Sequence, residues 1–293
     1  MELRQLITFI RIVQMESFSR AAASLGYSQS AVTVQIRLLE EELNTRLFDR
    51  MGKRCRLTAK GERFHAYANN IINEVNQARL ALEEGEALKG TLHLGTIESI
   101  CYSKLPAILH DFHTHHPGVS IRITTASPEE LIKMMEQGEL DLIDILDEPR
   151  NSDHWSKRLE KREEIVFVTG SKNELLEKDA YRLSELIREP FYLTEQNANY
   201  RRALDRYLEE RQLTLTPFLE ASSIELIIRF LEESRGVSLL PYYAVREEIA
   251  AGRLSLLPVE DFHAVMYRQI FLHRDKWVTR EMEAYVRTAE HLA

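Results

Sequence analysis

The chain has 293 residues, with 38 Lys+Arg against 46 Asp+Glu, a net charge of −8, and 44% hydrophobic residues. That acidic balance excludes a protein that coats polyanions over its whole surface. Two cysteines, Cys55 and Cys101, exclude a disulfide-stapled scaffold; with no signal peptide and no apolar run of about twenty residues, they predict a cytoplasmic protein. The charge is unevenly spread. Residues 1–61 hold ten basic and six acidic side chains, net +4, so the remaining 232 residues carry net −12. A basic end on an acidic body confines any nucleic-acid footprint to one lobe and makes it salt-sensitive.

In chain order, Leu3, Leu6, Ile7, Ile10 and Val13 form one apolar face, which predicts a first helix. Ser19 is a candidate N-cap for a short alanine-rich helix through Leu25, and Gly26 can take the left-handed conformation that ends it. Ser28 can cap the next helix. Its inner face is Ala31, Val32, Ile36, Leu39 and Leu43. Its other face carries Gln29, Ser30, Thr33, Gln35 and Arg37, donors and acceptors of the kind that read base edges. Two helices joined by glycine also occur as protein-docking hairpins, so the pair alone leaves that alternative open. The flank favours DNA. Leu47–Arg50 and Cys55–Leu57 predict short strands around a turn at Met51–Arg54, a wing bearing Arg50, Lys53, Arg54, Arg56 and Lys60.

Thr58 can cap a helix running to about residue 88. Phe64, Ala68, Ile71, Val75, Ala78 and Leu82 are spaced as a heptad seam, which predicts a partner helix and hence a homodimer; packing on its own chain is the alternative. Gly85 and Gly90 bracket a hinge. Beyond them, short apolar runs at 92–95, 119–124, 140–146, 165–168, 191–194, 237–240 and 270–272 alternate with helical stretches near 102–115, 128–138, 199–212, 223–235, 241–251 and 277–292. That alternation predicts open, mainly parallel α/β sheets.

The segment SFSRAAASLGYSQSAVTVQIRLLEEELNTRLFDRMGKRCRLTAKGE, residues 17–62, resembles the LysR-type transcriptional regulators. It matches their order of S-F-x-x-A-A-x-x-L, S-Q-S-A-V-T, Q-I-x-x-L-E, L-F-x-R and R-L-T-x-x-G. Asn44 stands where many members have glycine, and asparagine also tolerates the left-handed C-cap. Val34 is apolar where members vary, and it could touch only a thymine methyl. Weaker pieces, Gly138–Leu142 and Gly236–Pro241, keep the family's order and extend the resemblance over essentially the whole chain.

The resemblance implies an α/β chain with an N-terminal all-α winged helix-turn-helix at 1–58. A linker and dimerisation helix follows at 59–89. A two-lobe, periplasmic-binding-protein-like (type II) effector domain then spans 90–293, with lobe one at 91–162 plus 267–293 and lobe two at 163–266. It implies double-stranded promoter DNA and a small-molecule effector as partners, a homotetramer built from the linker-helix dimer, and RNA polymerase as a further candidate partner. Expected DNA contacts are Ser28, Gln29, Ser30, Thr33, Val34, Arg37, Arg50, Lys53 and Arg54.

Ligands of open α/β sheets sit beyond the carboxyl ends of the strands. That rule and the family's effector loops together select Thr96, Glu98, Ser99, Ile100, Thr125, Asp144, Thr169, Gln196, Asn197, Ser222 and Ser223. Ser99 and Ser223 are equally well placed to cap helices. Glu98, Asp144 and Glu195 would repel a small carboxylate unless Arg201, Lys104 or the ligand neutralised them. The sequence therefore predicts an effector with a cationic or hydroxylated part.

His110, Asp111, His113, His115 and His116 crowd one helix end, but the segment is a surface connection in the family and no metal or cofactor is expected. Cys101 reads as a packing residue. No catalytic motif is present, so an enzyme is not expected. The rivals are a solute-binding sensory module without DNA function and a small-molecule enzyme with an N-terminal dimerisation domain.

Overall fold

The computed structural model describes residues 1–51, 54–82, 87–274 and 276–292. The N-terminal unit runs α1 (Leu3–Met15), α2 (Phe18–Leu25), α3 (Gln29–Glu42), β1 (Phe48–Met51), β2 (Arg54–Leu57) and α4 (Ala59–Leu82). The cap of α2 is Ser17, whose side chain accepts from the Arg20 N–H, and not Ser19. Ser19 lies inside the helix and donates to Gln29 Oε1 at 2.8 Å, stitching α2 to α3. Gly26 ends α2 at φ 70°, and Ser28 caps α3 by accepting from the Ala31 N–H at 3.2 Å. Asn44 adopts φ 46°, the left-handed turn that follows α3.

The core of this unit is Leu6, Phe9, Ile12, Val32, Ile36 and Leu39. Phe9 meets the rings of Phe48 and Phe64 at 5.2 Å each, so one aromatic joins α1, the wing and α4. Leu3, expected on the inner face of α1, is instead exposed. Glu40 Oε1 accepts from the Leu47 and Phe48 N–H groups at 2.7 and 3.2 Å, which fixes the wing against α3. The wing strands pair antiparallel from Phe48↔Leu57 to Met51↔Arg54.

Thr58 caps α4 by accepting from the Gly61 N–H at 3.0 Å. Phe64, Ala68, Ile71 and Ile72 pack into the winged unit, so the first half of the expected seam serves its own chain. Gly85 and the expected continuation over 83–86 lie outside the described residues.

The second body runs β3 (Gly90–Thr96), α5 (Glu98–Ser103), α6 (Leu105–His115), β4 (Val119–Thr125), α7 (Pro128–Glu136), β5 (Leu142–Asp147) and β6 (Trp155–Gly170). After a 3-10 turn at Glu174–Glu177 come α8 (Leu183–Leu186), β7 (Tyr192–Leu193), α9 (Asn199–Glu210), β8 (Leu219–Glu220), α10 (Ile224–Glu233), β9 (Val237–Pro241), α11 (Tyr242–Ala250), β10 (Leu254–Leu256), β11 (Ala264–His273) and α12 (Arg280–His291).

The large sheet has the order β10-β6-β11-β5-β3-β4, with β9 also on β6. Among the described strands, parallel ladders join β3 with β4 and β5, and β7 with β8 in a small separate sheet; the other parallel pairs are the single bridges Tyr181↔Val259 and Phe191↔Val237. The expectation of mainly parallel sheets therefore needs correction. β6 and β11 are long antiparallel partners that run from one apolar core to the other. Near the pair Tyr267↔Arg162 they change neighbours: β5 flanks Tyr267–Phe271 and β9 flanks Ile165–Thr169.

One core, between the sheet and helices α6 and α12, holds Leu92, Leu94, Leu105, Ile108, Phe112 and Tyr285. On the opposite face, Leu131, Met135, Leu140 and Phe271 pack under α7. The second lobe has its own core around Phe167, Leu186, Phe191, Leu204, Ile227 and Leu239. Each lobe thus buries its sheet on both faces, and the loops at the strand ends face one another across a cleft. Among the described residues, no helix is long and apolar enough to cross a membrane.

Candidate DNA interface and effector cavity

The inner positions of α3 are locked in the core, so its outer face is the one left for contact. Ser28, Gln29, Ser30 and Arg37 are exposed there, and Val34 is 45% exposed. Thr33 is half-buried and its hydroxyl donates to the Gln29 carbonyl at 2.9 Å, which leaves its methyl and the hydroxyl oxygen's acceptor lone pairs for any partner. Ser28 and Ser30 hydroxyls lie 3.0 Å apart. Arg37 makes a loose i,i+4 contact with Glu41 at 3.8 Å. Gln35 faces inward, accepting from the Thr8 hydroxyl at 2.6 Å, and so supports α1 instead of reading bases.

Arg50 and Arg54 occupy the wing strands, Arg56 and Lys60 are exposed beside them, and Lys53 lies outside the described residues. Leu38, one turn beyond Val34 and 45% exposed, is an outward apolar residue that the sequence pattern did not single out.

In the second body, a cavity of about 330 Å³ opens at the carboxyl ends of β3, β4 and β7 and the starts of α5, α7, α9 and α10. Its size falls at the lower end of the roughly 300–1,000 Å³ typical of small-ligand sites. Of the expected residues, Glu98, Ser99, Thr125, Asn197 and Ser222 line it. The other six do not. Ile100 is core. Thr96 is buried and donates to the Asp144 carbonyl at 2.8 Å. Thr169 is buried and donates to the Gly236 carbonyl at 2.8 Å. Gln196 is exposed outside the cavity wall. Ser223 caps α10 by accepting from the Leu226 N–H at 3.3 Å, so the capping role is the one it fills.

Asp144 departs furthest from expectation. It is fully buried and forks onto Arg268, which donates from Nε at 3.0 and 3.2 Å and from Nη2 at 2.6 Å. Its charge is spent in the sheet, where it holds β5 to β11.

The cavity also uses Ser127, Glu130, Thr194, Glu195, Asn199 and Tyr200. Ser127 and Glu130 form a capping box on α7, and that S-x-x-E spacing is readable in sequence. Asn199 and Tyr200 belong to the first turn of α9, which begins where the sequence places it, although its N-cap Ala198 supplies no side-chain cap.

Glu98 bridges the cleft. Its Oε1 accepts from the Ile224 N–H at the start of α10, at 3.1 Å. Burial pushes its carboxyl up to about 7; the Ile224 N–H opposes this, and Glu225 and Glu195 add to it. At the rim, Glu129 on α7 pairs with Arg202 of α9 at 2.6 Å, and Glu148 pairs with Arg206 at 2.5 Å. Cys55 and Cys101 form no disulfide, and burial, helped by Glu98, pushes the Cys101 thiol up and away from a reactive thiolate.

A winged helix-turn-helix joined by a long helix to a two-lobe body with a polar cleft defines a ligand-responsive DNA-binding regulator. The family description "Bacterial regulatory helix-turn-helix protein, lysR family" matches residues 3–62, and "LysR substrate binding domain" matches residues 85–293. The chain is 34% identical over 287 residues to the uncharacterized HTH-type transcriptional regulator YwqM of Bacillus subtilis, covering 98% of this chain and 97% of that one. It is 28% identical over 290 residues to the HTH-type transcriptional regulator CzcR of Bacillus cereus, covering 99% and 97%. In fold it is similar to a full-length OxyR variant from Pseudomonas aeruginosa (TM-score 0.62, 23% identity, 99% and 95% covered). It is also similar to full-length BenM (TM-score 0.54, 22% identity, 99% and 96% covered). The chain belongs to the LysR family of helix-turn-helix transcriptional regulators; it carries an effector-binding domain and is not an enzyme.

Proposed function

We propose that the protein acts in the cytoplasm as a homodimer, paired through α4 and assembled further into a homotetramer, on interrupted inverted repeats in promoter DNA. The division is a winged unit at 1–58, a linker at 59–89 and an effector domain at 90–293. Gln29, Ser30, Thr33, Val34 and Arg37 read bases, Ser28 sets the start of the reading helix, and Arg50, Lys53 and Arg54 hold phosphates. A small effector in the cleft, held by Glu98, Ser99, Thr125, Asn197 and Ser222, shifts the angle between lobes and with it the spacing of the DNA-binding pairs. Coupling of that kind is worth about 1–3 kcal/mol, so the effector changes footprint and bend more than raw affinity. RNA polymerase is the partner that would read the altered DNA.

The observation that carries this reading is the exposed polar row on α3, held by a core that buries Val32, Ile36 and Leu39 of that helix. Gel-shift titration of Gln29→Ala and Arg37→Ala tests it. Each variant should lose about 1–3 kcal/mol on the cognate site and discriminate less at one base pair. Unchanged affinity and unchanged sequence preference in both would remove α3 as the reading helix.

A further inference from the structure

The lining of the cleft has an unbalanced charge. Glu98, Glu130 and Glu195 all contribute to it, and among the described residues no Lys or Arg does. Glu130 is occupied: its Oε2 accepts from both the amide and the hydroxyl of Ser127. The two cations that could have neutralised the others are committed elsewhere. Lys104 is buried, 3.0 Å from Glu163, with its ammonium over the Tyr243 ring at 4.9 Å. Arg201 is 5% exposed and serves Asp205 at 2.9 Å, the Thr194 carbonyl at 3.0 Å and Glu220 at 3.3 Å.

The feature that would hold an acid is also taken. The start of α10 presents the Ile224 N–H into the cleft, and Glu98 Oε1 already fills it from the opposite lobe. Glu98 stands where the carboxylate of an anionic ligand would stand. Its second oxygen, Oε2, is buried and has no hydrogen-bond partner among the described residues. A desolvated acceptor in that position lacks a donor, and a charged donor answers both the missing bond and the uncompensated charge.

We propose that the effector of this regulator carries a cationic nitrogen, an ammonium or amidinium, which the Glu98 and Glu195 carboxylates take up between the lobes. The proposal rests on the cleft being the effector site. The hydroxyl and amide groups of Thr125, Asn197 and Ser222 then bind the uncharged remainder of the ligand. The ligand also completes the bridge that Glu98 begins, because its cation is held from lobe one by Glu98 and from lobe two by Glu195. A cation lowers the Glu98 carboxyl from about 7 and displaces its proton, so affinity rises with pH through neutrality. The groups facing Glu98 are Glu225 and Glu195, the Ile224 N–H and, more remotely, Cys101 and Tyr200; none supplies a positive charge.

The test is calorimetric titration of the full chain with four-carbon probes matched in length: putrescine, succinate and butanediol. Putrescine should bind at least about tenfold more tightly than either of the others, the scale of one charge-assisted hydrogen bond. Glu195→Gln and Glu98→Gln should each remove most of that preference. Glu98→Gln keeps an acceptor for the Ile224 N–H and should also flatten the pH dependence. Succinate or butanediol binding as tightly as putrescine would overturn the proposal, as would a putrescine preference that both variants retain, or no putrescine binding at all.

The cleft reading fails separately. Succinate or butanediol binding that Ser222→Trp blocks would keep the cleft as the effector site while the cationic class falls. Salt-dependent DNA protection, measured without any ligand, stands or falls independently of both.

Discussion

Asp144 on β5 and Arg268 on β11 form an ion pair in which both side chains are fully buried. Three donor-acceptor distances between 2.6 and 3.2 Å hold it, and the Thr96 hydroxyl braces the Asp144 backbone at 2.8 Å. Asp144→Asn keeps the volume but leaves the guanidinium charge uncompensated in the sheet. Breaking a buried pair from one side costs about 3–5 kcal/mol. In a domain of this size each kcal/mol moves Tm by about 2–4 °C, so the effector-domain transition should fall by about 6–20 °C. The paired replacement Asp144→Leu with Arg268→Met removes both charges and should recover most of that loss, because desolvation is no longer charged against the fold. Thr96→Val, which deletes one neutral hydrogen bond, should cost about 0.5–1.5 kcal/mol. Scanning calorimetry of the three proteins decides the matter. A loss below about 1 kcal/mol in Asp144→Asn would refute the buried-pair reasoning. So would a double variant less stable than the single one.

Gly236 has no room for a side chain, because an added Cβ would lie 2.0 Å from the Tyr192 ring. Gly236→Ala should destabilise the second lobe by about 1–3 kcal/mol in urea melts, and a neutral outcome would mean the ring moves freely. Glu98 gives a pH signature. Its folded value near 7 lies above the ordinary 4.5, so the fold holds a proton there that the unfolded chain releases. Stability from this group is complete below about 4.5 and declines as pH rises through 7, and Glu98→Gln should flatten that part of the Tm-against-pH curve. On the wing, Arg56→Ala should weaken all DNA sequences alike and reduce the slope of log affinity against log salt by about 1, whereas Gln29→Ala should leave that slope intact.

The winged unit was largely legible because its signals are local. Ser28, Gly26 and Asn44 each act within a few residues, and caps and left-handed turns have direct residue preferences. Three positions there departed from expectation: Leu3 is exposed, Gln35 faces α1, and Ser17, not Ser19, caps α2; the two hydroxyls are two positions apart, and only the packing of Phe18 into the core places the cap before it.

The effector body was less legible because its decisive contacts are distant in sequence. Asp144 and Glu98 look alike as acids after apolar runs. Arg268, 124 residues beyond Asp144, is what separates a structural carboxylate from a cavity carboxylate. The long strand β6 was recognised only at its apolar end, since Trp155–Glu164 is crowded with charged residues, Glu160 to Glu164 in an unbroken run, and shows no apolar alternation. Its antiparallel pairing with β11 could not be inferred from alternation of strands and helices, which is the cue for parallel units. The start of α9 was legible near residue 199, but the cavity-lining role of Asn199 and Tyr200 was not, because it depends on loops from β3, β4 and β5 that are distant in sequence.

The net positive charge of the N-terminal lobe and the exposed polar row of α3 point to promoter DNA as its target. Footprinting the purified protein on the DNA upstream of its own gene, at low and at high salt, tests it most directly. A promoter-reading lobe gives a protected, interrupted inverted repeat whose protection weakens steeply as salt rises. No protection at low salt on that DNA or on genomic fragments would contradict it.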